Sequence, residues 1–324
     1  MHKHDVYGIG NSIVDILVNV EEQLLEELNL PKGIMSLVDV ERSKKLLGSV
    51  RLHGKTVMPG GSCCNTMIGV ANLGGRAGYA GVVGDDIYGK IFAEKLPLFG
   101  VKSNLTRVAG MTGSSVILVT PDGERTMNTH LGVCTQLVKQ HIIEDEILKS
   151  KIFHTTAYAL DTAPEAVMHA LELAKRNNIT ISFDVSDPFL VRDKNVLMKE
   201  IVKKYADIVF LNKEEARLFT GHQPYEALGV IAKNGSTVAL KIGSEGSLVL
   251  HNGKLYRISA LKVNALDTTG AGDAYAAGLL FGLTNGYSMS DACRIASFSA
   301  GKVVEVMGAR VGNSLKEDVI KMCG

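Results

Sequence analysis

Short apolar runs alternate with longer runs of helical periodicity through most of this sequence. Segments 6–9, 79–83, 151–155, 179–183, 207–211, 237–242 and 247–250 read as strands. Segments 65–73, 88–99, 163–177, 213–219, 273–283 and 289–306 read as helices. Strands that are apolar throughout must be covered on both faces, and the intervening helices supply that cover. The breakers fit this reading. Gly74-Gly75 ends the first long helix, and Pro164 opens another in its first turn. The expectation is an α/β fold, a three-layer α/β/α sandwich whose central sheet is mostly parallel.

Two regions break the alternation. Residues 16–20 and 112–129 read as strands with no helix between neighbours. Segments 114–120 and 125–129 flank Pro121-Asp122-Gly123-Glu124, a hairpin turn. Strands of about 15–36 and 105–130 are therefore expected to pair into a small β-sheet lid within a single domain spanning 1–324. No internal repeat or long linker divides the chain.

Composition narrows the partners. With 35 Lys+Arg against 34 Asp+Glu, the formal net charge is +1, and 46% of residues are hydrophobic. That chain can bury a full core. It lacks the basic surplus that phosphate-backbone binding needs, so nucleic acid is not expected as the main partner. The most apolar helical stretch, 274–283, is half the length of a membrane span. Met1-His2-Lys3-His4-Asp5 runs straight into a strand and lacks the apolar region of a signal peptide. The five cysteines are odd in number and show no zinc spacing. They read as reduced thiols in a cytoplasmic protein, with Cys63-Cys64 as small packing residues.

Three glycine-rich segments could hold phosphate. Gly8-Ile9-Gly10 lacks the third glycine of a dinucleotide fingerprint, because Ile13 stands there. Gly84-Asp85-Asp86-Ile87-Tyr88-Gly89-Lys90 nearly matches a P-loop. Ile91 replaces the magnesium-binding hydroxyl, and two acidic residues would repel the ligand. Asp267-Thr268-Thr269-Gly270-Ala271-Gly272-Asp273 differs in kind. Its small residues admit a ligand close to the backbone, and a helix follows at once, with unpaired N–H groups facing an anion. Asp273 falls in the first turn, where an acidic residue also complements the helix dipole. An anion site beside a carboxylate suits phosphoryl transfer to a hydroxyl.

That segment resembles the C-terminal signature of the ribokinase-like, or PfkB-type, carbohydrate and nucleoside kinases. Further segments match in order across most of the chain. Gly8-Ile9-Gly10-Asn11 with Asp15 resembles the first strand and substrate aspartate. Gly60-Gly61-Ser62-Cys63-Cys64-Asn65 resembles the second signature. The strand and turn 81–89 follow it. Asn212-Lys213-Glu214-Glu215 has the Asn-x-x-Glu pattern, and Lys241-Ile242-Gly243-Ser244-Glu245-Gly246 matches the nucleotide-side turn. The resemblance implies a ribokinase-like, Rossmann-like α/β/α sandwich with a β-sheet lid. It also implies ATP with Mg²⁺, a small-molecule acceptor, and a monomer or homodimer.

The resemblance assigns roles residue by residue. Asp273 would be the general base, with Gly270, Ala271 and Gly272 as the anion hole. Asn11, Asp15, Gly60, Gly61, Ser62, Asn65 and Arg125 would face the acceptor. Asp15 and Asn65 would offer an acceptor and an amide to neighbouring hydroxyls, although Asn65 also suits a helix N-cap. Ser186, Asn212, Lys241, Gly243, Gly246 and Thr268, with Gly270 and Gly272, would face the nucleotide. Asn212 and Glu215 would meet magnesium through water, or else form a capping box. Arg125 would reach substrate or phosphate from the lid, or else stay in solvent. A K⁺-type site would draw on Asp267, Thr269 and the Gly308 loop.

Asp184-Val185-Ser186-Asp187-Pro188-Phe189 resembles the Ser-x-Pro-Phe pattern of the adenosine kinase branch. The expected acceptor is a nucleoside 5′-hydroxyl. A sugar kinase for ribose, fructose or 2-keto-3-deoxygluconate is the alternative, since Asp122-Gly123-Glu124-Arg125-Thr126 is also found in such enzymes. A binding regulator that kept the fold without activity is the alternative from another class.

Overall fold

Fourteen strands in two sheets organise the computed structural model, which describes residues 2–323. They are β1 (His4–Ile9), β2 (Ile13–Asn19), β3 (Met35–Leu37), β4 (Lys55–Gly60), β5 (Ala77–Gly84), β6 (Val101–Val108) and β7 (Gly113–Val119). β8 (Arg125–His130), β9 (Ser150–Thr156), β10 (Thr180–Asp184), β11 (Ile208–Asn212), β12 (Thr237–Lys241), β13 (Ser247–His251) and β14 (Lys254–Ile258) follow. The large sheet has the order β14-β13-β12-β11-β10-β9-β1-β5-β6. From β12 to β6 every pairing is parallel, and β13 and β14 close one edge as antiparallel strands.

Alternation along the strands feeds two apolar cores. Val209 and Leu211 of β11 join the core on one face, and Ile208 and Phe210 join the core on the other. Each face is covered by helices, which gives the three layers expected from the sequence. The helix Ala271–Thr284 is apolar on nearly all sides because other helices enclose it. It packs between Ser62–Asn72 and Met289–Val304.

The small sheet runs β3-β8-β7-β2-β4. It is built around the expected hairpin, with β7 antiparallel to β8. Its make-up differs from the sequence reading in three ways. Residues 101–108 belong to the large sheet as β6, so the stretch 105–108 is not part of the lid. β4 joins the lid as an edge strand; Pro59 within it is tolerated at an edge. The lid also carries helices of its own, Glu22–Glu27 and Val40–Ser49, the second capped by the Asp39 side chain. Val14, Ile16, Val18, Val116 and Leu118 turn towards Leu25, Leu28, Leu46 and Val50 of that helical cover. Asp15, Leu17, Ser115, Ile117, Arg125 and Met127 occupy the opposite face and look into the cavity below.

Candidate active site

A cavity of about 510 Å³ lies between the lid and the carboxyl edge of the parallel strands. Open α/β sheets bind ligands at that edge because successive strands deliver their end residues to one crevice. Here β10 ends on Asp184, β11 on Asn212 and β12 on Lys241, and all three line the cavity. Asn11 follows β1 into the same wall.

Asp273 sits in the first turn of Ala271–Thr284, facing the cavity. The Ser62 hydroxyl donates to Oδ1 at 2.7 Å, and Asn65 Nδ2 donates to Oδ2 at 3.0 Å. Burial pushes its carboxyl up to about 6; the two hydrogen bonds act against that rise. Gly270 caps this helix with φ +75°, and a Cβ there would fall 2.6 Å from the Ala309 backbone. Only glycine fits such a left-handed, crowded position. Gly270 and Gly272 line the cavity, whereas Ala271 and the exposed Thr268 do not. The Lys241 ammonium lies against Gly272, 3.2 Å from Asp184. Burial opposes the lysine charge, but Asp184 and Glu215 outweigh it and hold the pKa above its ordinary value. A cation therefore adjoins the helix N-terminus, where both stabilise negative charge.

The acceptor-side residues converge on the lid–core junction. Asp15, Gly61, Ser62, Asn65 and Asn11 line one wall. Gly61 has φ +91°, and a Cβ there would meet the Asn11 carbonyl oxygen at 2.2 Å. Gly60 lies outside the lining but presses on the Asp15 carboxylate, leaving no room for a side chain. Burial pushes the Asp15 carboxyl up to about 6, moderated by Arg310 and Arg125. The Asn11 amide is held from behind: its Nδ2 donates to the Tyr158 carbonyl, and Thr162 Oγ1 donates to its Oδ1.

The opposite wall carries the expected nucleotide-side residues. Ser186 (φ +73°) and Gly243 line the cavity, and Gly246 does not. Gly246 is required instead by crowding against the Ile258 carbonyl and the Ala260 amide. Asn212 and Glu215 form a complete capping box. The Asn212 amide and Nδ2 donate to the two Glu215 oxygens, and the Glu215 N–H donates to Asn212 Oδ1. Burial holds the Glu215 carboxyl above the usual range. Asp184 accepts from Lys241 and from the Ser186 N–H. These cavity-facing oxygens already have protein donors. They fit a magnesium ion met through its water shell rather than one chelated directly.

Arg125 reaches across from β8 and pairs with Asp267 at 2.7 Å, both side chains buried. Asp267 also accepts from the Thr269 and Gly308 N–H groups. The solvent alternative for Arg125 is thus excluded, and its Nε and Nη1 find no partner among the described residues. Asp267 has its charge balanced by a guanidinium, so a monovalent cation does not fit beside it. Cys63 and Cys64 are buried packing residues, as expected, and burial raises both thiols.

Sequence reasoning missed Asp184 and Arg310. Asp184 stood in a quoted motif, and its position as the last residue of a buried strand was the available signal. Arg310 lies in an irregular segment and carries no motif.

A helix-terminal anion site, a lysine, and a carboxylate beside a roofed cavity define a site for phosphoryl transfer to a hydroxyl. The chain matches the pfkB family carbohydrate kinase family over residues 34–316. Its structure resembles adenosine kinase from Sinorhizobium meliloti, with 35% identity, a TM-score of 0.89 and 99% of each chain covered. It also resembles a probable sugar kinase protein from Rhizobium etli CFN 42, with 33% identity, a TM-score of 0.91 and 99% of each chain covered. A 5-dehydro-2-deoxygluconokinase of Clostridium perfringens is 30% identical over an alignment 272 residues long that covers 76% of this chain and 78% of that protein. The chain belongs to the pfkB family of carbohydrate kinases and has the ribokinase-like fold. It is a sugar or nucleoside kinase, a phosphotransferase with an alcohol group as acceptor.

Proposed function

We propose that this enzyme phosphorylates a nucleoside, foremost adenosine, at its 5′-hydroxyl with magnesium–ATP. One observation carries the choice of acceptor. Beyond the polar pair Asp15 and Asn65, the lid side of the cavity is mostly apolar: Leu17, Met35, Leu37, Ile117, Met127 and Leu131 line it, with Arg125 and with Ser115 and Thr129, whose hydroxyls bond to each other. A ribose clamped by its vicinal hydroxyls would direct its base into that slot, and flat apolar walls favour a base over water. The 35% identity to an adenosine kinase over nearly the whole chain supports the same reading. The second reading is a sugar acceptor, which the 5-dehydro-2-deoxygluconokinase relative supports.

The chemistry follows from the residues. Asp15 accepts from a ribose hydroxyl, and Ser62 and Asn65 orient Asp273. An Asp273 carboxylate oxygen takes the proton of the attacking hydroxyl as the hydroxyl's own oxygen bonds to the γ-phosphorus. The bond to the ADP oxygen breaks, and the Gly270 and Gly272 amides with Lys241 balance the charge that develops; the Ala271 N–H is taken by the Thr268 carbonyl. Magnesium, when bound, neutralises phosphate charge. Asn212, Glu215 and Asp184 would hold its waters. The lid keeps water from competing with the acceptor.

A panel of adenosine, inosine, guanosine, cytidine, ribose, fructose and 2-keto-3-deoxygluconate with magnesium–ATP tests the acceptor. Adenosine is expected to give the highest kcat/KM. A free sugar outperforming every nucleoside overturns this reading and leaves the kinase chemistry in place.

A further inference from the structure

Arg310 belongs to the segment after the helix Met289–Val304, beyond Gly308 and Ala309. Gly308 and Ala309 line the cavity, whereas Arg310 stands behind its wall. Its guanidinium rests over the Phe99 ring, 5.3 Å from the centroid, and its side chain is 13% exposed. From there it touches three elements. Its Nη2 donates to the Pro59 carbonyl of β4 and, at 3.1 Å, to Asn65 Oδ1 of the core helix. The same nitrogen lies 3.8 Å from Asp15 Oδ2 of β2.

The Asn65 contact has a geometric consequence. An amide offers one oxygen and one NH₂ group on opposite sides. A guanidinium has only donors, so it takes the Asn65 oxygen and leaves the NH₂ to face Asp273. The Asp15 contact has an electrostatic one. The charged or titratable groups around Asp15 are Arg310, Arg125 from β8 and the Cys64 thiol from the core helix. Arg310 is the strongest influence favouring the ionised carboxylate.

We propose that Arg310 is a positioning residue. It fixes the Asn65 amide against Asp273 and holds the Asp15 carboxylate in place at the cavity wall, while the lid strands β2 and β4 stay tied to the core. The proposal rests on the roles given above to Asp15, Asn65 and Asp273, but not on which acceptor is used.

The test compares Arg310→Gln with Arg310→Lys, using whichever acceptor of the panel the parent enzyme phosphorylates best. Two readouts go beyond general damage. One is the split between acceptor and ATP kinetics. The other is the Asp15 titration, followed by carboxyl ¹³C NMR in the ligand-free protein and thus independent of any acceptor. In Arg310→Gln, acceptor kcat/KM is expected to fall about 10–100-fold, the range for losing a buried charge-assisted contact. The ATP KM should stay within about twofold, and the Asp15 titration should move to higher pH. Arg310→Lys should return that titration towards the parent position while acceptor KM stays raised, because an ammonium cannot reproduce the forked contacts. An unmoved Asp15 titration in the Gln variant overturns the proposal, as does a loss shared equally by ATP and acceptor. If Arg310→Gln fails to fold, the Lys variant decides alone: raised acceptor KM with the parent titration supports the proposal, and parent acceptor KM overturns it. A panel result favouring sugars would change the acceptor and leave each of these comparisons intact.

Discussion

Replacing Asp273 by Asn is expected to cripple the enzyme and to stabilise the fold above neutral pH. The folded carboxyl is raised from the ordinary 3.8 to about 6, chiefly by burial. At 1.36 kcal/mol per pH unit, that gap costs about 3 kcal/mol when the group is ionised. The folded value lies above the unfolded one. The group therefore favours folding most below about pH 4, and that contribution is lost as pH rises through about 6. At pH 8 the fold carries the whole cost, and Asn removes it. Two effects reduce the gain. Water in the cavity screens part of the charge, and the Asn amide cannot accept at both oxygens from Ser62 and Asn65. A net stabilisation of about 1–2 kcal/mol remains, which for a chain of 324 residues corresponds to about 1.5–3 °C in Tm. At pH 4.5 the native carboxyl is already mostly neutral, so the gain should vanish or reverse. Differential scanning calorimetry of both proteins at pH 8 and pH 4.5 reads this directly. Turnover should meanwhile fall about 10²–10⁴-fold, the usual range for a positioned acid–base group. A Tm difference of the same size at both pH values would refute the electrostatic reasoning. Near-native turnover would remove Asp273 from the role of base.

Three further outcomes are expected. Gly61→Ala should lose about 2–4 kcal/mol in denaturant titrations, because its φ of +91° and the Asn11 carbonyl both exclude a Cβ. Glu215→Gln should raise the magnesium concentration for half-maximal turnover about three- to tenfold; an unchanged titration would restrict Glu215 to its helix-capping contacts. Amide exchange in β7 and β8 should slow when acceptor binds, and equal protection with and without acceptor would rule out lid closure.

The sequence pattern made the large sheet legible because most of its strands are buried on both faces and read as unbroken apolar runs. The hairpin of β7 and β8 was legible from its turn. β4 was not, since Lys55, Pro59 and Gly60 dilute the period-two pattern at an edge that tolerates them. At the site, Asp273 and Gly61 stood out because chemistry and backbone geometry both restrict those positions. Gly246 resembled them but answers to a local turn. Arg310 was invisible, because its role exists only once Pro59, Asn65 and Asp15 are brought to it. Arg125 had two open readings, and its partner Asp267 lies far along the chain, where no local pattern connects them.

The way the site is stitched together bears on its birth at the ribosome. Ser62 meets Asp273 across 211 positions, and Asn65 meets Arg310 across 245. Translation delivers Asp15 and Asn65 first, Asp184, Asn212 and Lys241 next, and Gly270, Asp273 and Arg310 near the end. A nascent chain can therefore pair most of its large sheet while it still lacks the groups that activate a phosphoryl group. On the roles proposed above, a chain truncated anywhere before Asp273 is expected to transfer no phosphoryl group even if its sheet forms.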